Sequence, residues 1–288
     1  MSGSTPRLSL GILYMLLAMS VLPVMNGFVQ WLSPRYPTEQ IVWARIAGQL
    51  VVMLALMLPG AGLLVFRTKR PGLQAARSLC QVTSTSFYFS ALGSISMAKA
   101  TAIGFLAPFL VTLLAWPMLG EKPVARRLAV VALAFLGVLV VIRPGLSGFE
   151  PAALLVLCSA TAYAMYQVLT RKVAPHDPAE TSTLWSALLG AVVLTLALPW
   201  FWVAPRSLGD GMAFLALGAL ASAGHYCLAR ALLHGPAGVI APFQYWQIVG
   251  AVLVGVALTG LWPDAFTWAG SAIVIAAGVI LAIMERRR

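Results

Sequence analysis

The chain has 288 residues, of which 60% are hydrophobic and only 9% charged, and its formal net charge is +11. A soluble protein of this length needs a far more polar surface. A soluble enzyme or carrier is therefore excluded, and an all-α integral membrane protein with apolar helices of about 20 residues is expected. The positive charge does not point to nucleic acid, because the basic residues stand at the ends of apolar segments and form no soluble patch.

The opening MSGSTPRLSL lacks the basic, apolar and small-residue layout of a cleavable signal, and its apolar run continues to about Trp31. Apolar runs predict ten helices at 8–31, 38–58, 73–93, 97–119, 125–142, 150–171, 179–201, 209–232, 238–260 and 265–285. The breakers SPRYP, FRTKRPG, GEKP, RPGLSG, APHDP, APRSLGD, HGPAG and LWPD separate them. With a cytoplasmic N-terminus, thirteen of the 19 basic residues fall inside: Arg7, Arg67, Lys69, Arg70, Arg77, Lys122, Arg126, Arg127, Arg171, Lys172, Arg286, Arg287 and Arg288. Four (Arg35, Lys99, Arg143, Arg206) fall outside and two (Arg45, Arg230) lie within helices. This bias predicts cytoplasmic N- and C-termini in a bacterial inner membrane.

Polar and aromatic groups at depth are expected to face the bundle interior. Helix one offers Pro23 and Asn26. Helix two carries Trp43, near the outer end, and Arg45, for which a gating or structural role is favoured. Helix three is the most polar, in QVTSTSFYFS, and Gln81, Thr85 and Tyr88 fall near one of its faces. Lys99, at the start of helix four, either binds a carboxylate at the positive helix end or snorkels to the surface. Tyr163 and Tyr166 sit near mid-depth in helix six, and His225 and Tyr226 in helix eight.

Helix nine holds APFQYWQIVG. Three residues apart, Gln244 and Gln247 share a helical face, just beyond Pro242, and are read as cavity-lining. The alternative is amide bonding between helices. One of Tyr245 and Trp246 lines the cavity while the other packs. Pro108 and Pro242 are taken as flexible points. Trp116, Trp200, Trp202, Trp262 and Trp268 read as interfacial anchors, and Gly137, Gly270 and Gly278 as sites of close helix packing.

All eight acidic residues (Glu39, Glu121, Glu150, Asp177, Glu180, Asp210, Asp264, Glu285) lie at helix ends or in loops. A carboxylate proton relay is therefore not expected, and only His225 is placed to titrate within a helix. The chain contains no P-loop, HExxH or GxSxG motif, so direct ATP drive, intramembrane hydrolysis and other enzyme activity are not expected. Cys80, Cys158 and Cys227 show no metal or redox spacing and read as small core residues. No metal or cofactor is anticipated.

Shifted by 140 residues, the chain matches itself: Ala91-Leu92 falls on Ala231-Leu232, Gly120 on Gly260 and Pro123 on Pro263. Five helices per half invert the second half relative to the first, as in many secondary transporters, and place a substrate site near the midplane. The units are taken as 1–145 and 146–288. On the residues Arg45 in WARIAGQ, Ala91 through Pro108, and GEKP at 120–123, the chain resembles the EamA-type drug/metabolite transporters. Within them it resembles the YddG-type aromatic amino acid exporters. GLWP at 260–263 lacks the acidic residue usual in that turn. The resemblance implies ten helices, a cavity between helices 1–4 and 6–9, and helices 5 and 10 to the side. It also implies export of aromatic and other neutral amino acids, as a monomer or homodimer, with the small-molecule substrate and the bilayer as partners. Uncoupled alternating access is expected, because no acidic residue lies at depth. Efflux of organic cations is the rival, which the lack of an intramembrane acid counts against.

Overall fold

The structure is a computed structural model that describes residues 8–62, 66–120, 125–144, 149–234 and 240–286. Its helices are α1 (Leu8–Leu32), α2 (Thr38–Ala61), α3 (Pro71–Leu92), α4 (Met97–Gly104), α5 (Ala107–Leu119) and α6 (Ala125–Ile142). After the midpoint come α7 (Ala152–Val173), α8 (Ala179–Ala197), α9 (Leu208–Leu233), α10 (Trp246–Thr259) and α11 (Ala265–Arg286). Short 3-10 turns lie at Leu198–Trp200 and Ala241–Tyr245, and no strand occurs among the described residues.

Eight crossings are long and apolar enough to span a bilayer, with α4 and α5 counted as one, and Phe243–Thr259 is a shorter apolar segment. The remaining crossing is α3, 22 residues long, whose polar content sets it apart. It buries Gln74, Arg77, Ser78, Ser84 and Thr85. The chain is inside-out relative to a soluble fold: Leu56, Leu196 and Leu215 are each at least 70% exposed while these polar groups are buried. Only lipid makes that distribution stable.

Helix contacts occur in mirrored pairs. α1 against α9 is matched by α7 against α3, and α2 against α9 by α8 against α3. α1 against α10 is matched by α7 against α5; α4–α10 joins the fourth crossing to the ninth, while α2–α8 and α6–α11 join each element to its own counterpart. These self-paired elements lie on a pseudo-two-fold axis. Five crossings in each half place that axis in the membrane plane. Small residues permit the closest approaches. A Cβ on Gly48 would stand 2.8 Å from the Gly218 Cα, joining α2 to α9, and a Cβ on Gly137 would stand 3.0 Å from the Gly270 carbonyl, joining α6 to α11.

The fourth and ninth crossings are not the continuous helices expected. α4 stops at Gly104, Phe105 and Leu106 form a turn, and α5 restarts with Pro108 in its first turn. Proline supplies no N–H and is tolerated at such a start. The ninth crossing has the 3-10 turn Ala241–Tyr245, with Pro242 in its first residues, before α10. Both broken crossings end alike. Gly120 (φ 74°) and Gly260 (φ 70°) adopt the left-handed conformation and donate back to Trp116 and Val256, each four residues earlier. Only glycine enters that region without strain. Of the turn GEKP only Gly120 is described, and of HGPAG only His234.

Loop clasps tie the two halves at opposite ends of the bundle. At one end buried Gln40 exchanges two hydrogen bonds with the Val203 backbone, at 2.8 and 2.9 Å. Beside it the Tyr36 hydroxyl donates to Asp210 (2.8 Å) and accepts from the Arg206 N–H, and Arg35 pairs with Asp210 at 3.0 Å. At the opposite end Asp177 accepts from the Thr68 hydroxyl, from the Lys69 N–H (2.8 Å) and from the Gln74 amide (2.9 Å). Tyr36 in SPRYP and Asp177 in APHDP hold matching places before a proline. A comparable clasp is thus built twice, the loop side chain accepting a backbone N–H from the other half in each. Burial alone would raise the Asp177 carboxyl, but its hydrogen bonds from Lys69, Thr68 and Gln74 outweigh that and hold it below the usual value.

Candidate functional site

Arg45 projects from α2 and His225 from α9, residues 180 apart in the chain, and their side chains meet at 3.1 Å between a guanidinium nitrogen and Nε2. Guanidinium has only donors, so His225 Nε2 must accept and the imidazole is neutral at this contact. Arg45 is only 6% exposed. No acidic side chain pairs with it among the described residues. Facing it, α7 presents Tyr163 and Tyr166, whose rings stack with centroids 5.7 Å apart at 18°. Both phenols lie within electrostatic reach of Arg45.

The Tyr166 ring is covered by Arg77 of α3. Its guanidinium lies 4.9 Å over the Tyr166 ring and donates to the Tyr166 hydroxyl at 3.2 Å. It also donates to Thr170 (2.7 Å), to the Gln74 side-chain oxygen (2.8 Å) and to the Ser182 carbonyl. Arg77, counted among the cytoplasmic-side cations, is 2% exposed. Its burial is affordable because every face of the fork finds an acceptor. The signal was present in the sequence: Gln74, Arg77, Ser78, Gln81 and Thr85 recur at helical spacing, which extends the polar face of α3 by two turns.

Other expected residues are spread over several contacts. Tyr88 reaches across to Thr101 (3.4 Å) and touches the Gly104 break, while the Thr85 hydroxyl bonds back to the Gln81 carbonyl at 3.0 Å. The half-buried Gln81, Gln244 and Gln247 make no side-chain hydrogen bond among the described residues, so no neighbouring helix described here satisfies these amides. Gln244 lies in the 3-10 turn and Gln247 in the first turn of α10, so the continuous helix on which the sequence placed them changes its winding between them. Tyr245 packs on Phe105 (4.9 Å between centroids) and lays its hydroxyl on Gly278 of α11. Trp246 is 44% exposed and donates to Ser20 of α1 at 3.1 Å. The side chain of Pro242 lies outside the described residues.

Lys99 is at one end of the bundle and neither snorkels nor stands free. Its ammonium, 7% exposed, pairs with Glu150 at 2.9 Å. Arg143 pairs with Asp264 nearby. Burial would raise the Asp264 carboxyl, but the Thr267 hydrogen bonds and the Arg143 and Lys99 charges hold it below the usual value. An open groove of about 520 Å³ between α5 and α6 is lined by apolar side chains such as Leu113, Phe135 and Leu139. Its character is that of a lipid-facing surface.

Comparison with known proteins fits this geometry. The EamA-like transporter family model matches twice, at residues 9–143 and 150–284. The chain is 26% identical to the riboflavin transporter of Rhizobium johnstonii over 98% of this chain and 94% of that one. It is 23% identical to the S-adenosylmethionine uptake transporter of Rickettsia prowazekii, over 96% and 94% of the two chains. Against the pseudopaline exporter CntI of Pseudomonas aeruginosa it is 29% identical, over 94% and 95%. A solved crystal structure superposes with a TM-score of 0.65 at 21% identity, covering 99% of this chain and 100% of that one, which is a likeness of fold. The relatives named here act on riboflavin, S-adenosylmethionine and pseudopaline, not on aromatic amino acids, so the narrower resemblance does not carry over. With both halves matched and the crossings mirrored about one axis, this chain is a multi-pass membrane protein that belongs to the EamA-like transporter family.

Proposed function

We propose that the protein moves small, planar, amphipathic metabolites across the bacterial inner membrane by alternating access, with aromatic and other neutral amino acids as the first candidates. The observation that carries this is the Arg45–His225 pair within electrostatic reach of the Tyr163–Tyr166 stack. Stacked rings offer a flat apolar surface, and the guanidinium offers a fixed donor for a polar end. Riboflavin and S-adenosylmethionine, named for two relatives, both present planar heteroaromatic rings. Gln81, Gln244 and Gln247, without a side-chain hydrogen bond among the described residues, add adaptable amides.

The two units, 1–145 and 146–288, rock about the site, with the Gly104–Pro108 break and the Ala241–Tyr245 turn as pivots. The Asp177 end and both termini face the cytoplasm, by the excess of basic residues there. Transport is uncoupled, and export follows when the cytoplasmic concentration is high. Buried Arg45 and Arg77 disfavour organic cations, because a cationic drug would meet two like charges.

Purified protein in liposomes, assayed for uptake of labelled aromatic amino acids with and without a pH gradient, tests the reading. Saturable uptake indifferent to the gradient is expected. No uptake of any amino acid overturns the substrate assignment, and stimulation by the gradient overturns the uncoupled mechanism.

A further inference from the structure

Two arginines are buried beside the tyrosine stack, and they differ in one respect. Arg77 has four acceptors: Thr170, Gln74, Ser182 and Tyr166. Among the described residues Arg45 has one, the neutral ring nitrogen of His225. The described acids that make ion pairs or strong hydrogen bonds are Glu150, Asp177, Asp210 and Asp264, all at the ends of the bundle. A guanidinium held at membrane depth without an anion is costly. A helix register or a loop clasp requires no such arrangement, since Gln40 and Asp177 serve those ends. Arg77 adds a second positive charge over the Tyr166 ring.

We propose that Arg45 is the docking point for an acid, so that the transported molecule carries one carboxylate on a planar apolar body and needs no ammonium group. This rests on the transport reading above and narrows its substrate class. The carboxylate accepts two parallel hydrogen bonds from the guanidinium fork, the strongest neutralisation available to arginine. The planar body lies against Tyr163 and Tyr166. An ammonium group gains nothing here: among the described residues no carboxylate faces it, and two guanidiniums repel it. A simple aryl acid is therefore preferred over the amino acid with the same ring, and the corresponding amine is rejected.

Three probes share one ring and differ only in charge: 3-phenylpropanoate, phenylalanine and phenethylamine. Their binding to the full-length protein in detergent is measured by calorimetry, and their uptake in proteoliposomes by isotope counting. The expected order is 3-phenylpropanoate first, phenylalanine second, and phenethylamine at least about tenfold weaker than the acid. In R45Q the acid-to-amine ratio should fall close to one, and in R45K it should fall part of the way. The wild-type ranking tests the proposal even where R45Q does not fold. Phenethylamine binding as well as the acid, or an R45Q ratio equal to wild type, overturns it. Phenylalanine moved while 3-phenylpropanoate is neither bound nor moved overturns the proposal but leaves the transport reading standing. None of the three bound or moved overturns both.

Discussion

Phe105 and Tyr245 stand 140 residues apart in the chain and meet ring to ring, 4.9 Å between centroids. That interval is the one by which the chain matches itself, so equivalent residues of the two halves touch each other. Two equivalent residues can touch only on the axis that relates them, and here the axis passes through both helix breaks. The aromatic contact therefore joins the two places where backbone regularity is lost, next to Tyr88 and Gly104 on one side and Gly278 on the other. A rocking motion about this axis would keep the Phe105–Tyr245 pair nearly fixed while the ends separate.

The Tyr245 hydroxyl occupies the space that a methyl group at Gly278 would need. Gly278→Ala should therefore destabilise the protein by about 1–3 kcal/mol through overpacking. In a Tyr245→Ala background the same change should cost much less, because the obstacle is gone. Thermal unfolding of the four variants in detergent gives the coupling. Equal costs in both backgrounds would show that Gly278 is constrained by something other than Tyr245.

The Asp177 clasp should respond to acid. Its carboxyl lies below the ordinary value of 3.8, so its contribution is fully present above that pH and is lost as pH falls through the lower folded value. Asp177→Asn should lower stability by about 1–3 kcal/mol at neutral pH, since Lys69 N–H, Thr68 and Gln74 lose an ionised acceptor. The mutant should also show a flatter loss of stability than wild type below about pH 4, the window in which a depressed aspartate takes up its proton on unfolding. An unchanged acid limb would sink the assignment.

Gln244 and Gln247 separate binding from packing. With no described side-chain partner, their replacement by alanine should reduce transport severalfold and shift the unfolding temperature little. Had they joined helices, each would be worth about 0.6 kcal/mol of stability on average. A clear drop in stability with transport intact would identify them as packing groups.

The Lys99–Glu150 pair is asymmetric in burial, 7% against 42% exposed. Glu150→Gln leaves an almost buried ammonium without its anion, whereas Lys99→Met/Glu150→Gln removes the charge as well. The single variant should be less stable than the double, by about 1 kcal/mol given the partial solvent screening. Unfolding temperatures at low and high salt provide the check, since the wild-type advantage should shrink with salt.

Hydropathy, segment length and punctuation are properties of the chain read in one dimension. The ten crossings and the five-plus-five inverted repeat were legible there. Gly120 and Gly260 marked matching helix ends in the sequence, and both prove to be left-handed caps. The meeting of Arg45 with His225 was not legible. Neither was the burial of Arg77 or the capture of Lys99 by Glu150. Helices that are apolar on most faces leave their rotation about their own axes undetermined by periodicity. Which polar group faces which, across 50 to 180 residues of chain, is then settled by close packing at contacts such as Gly48–Gly218. The sequence by itself determined that this is a duplicated membrane transporter. Tertiary structure alone decided that one arginine at its centre is left with a neutral partner.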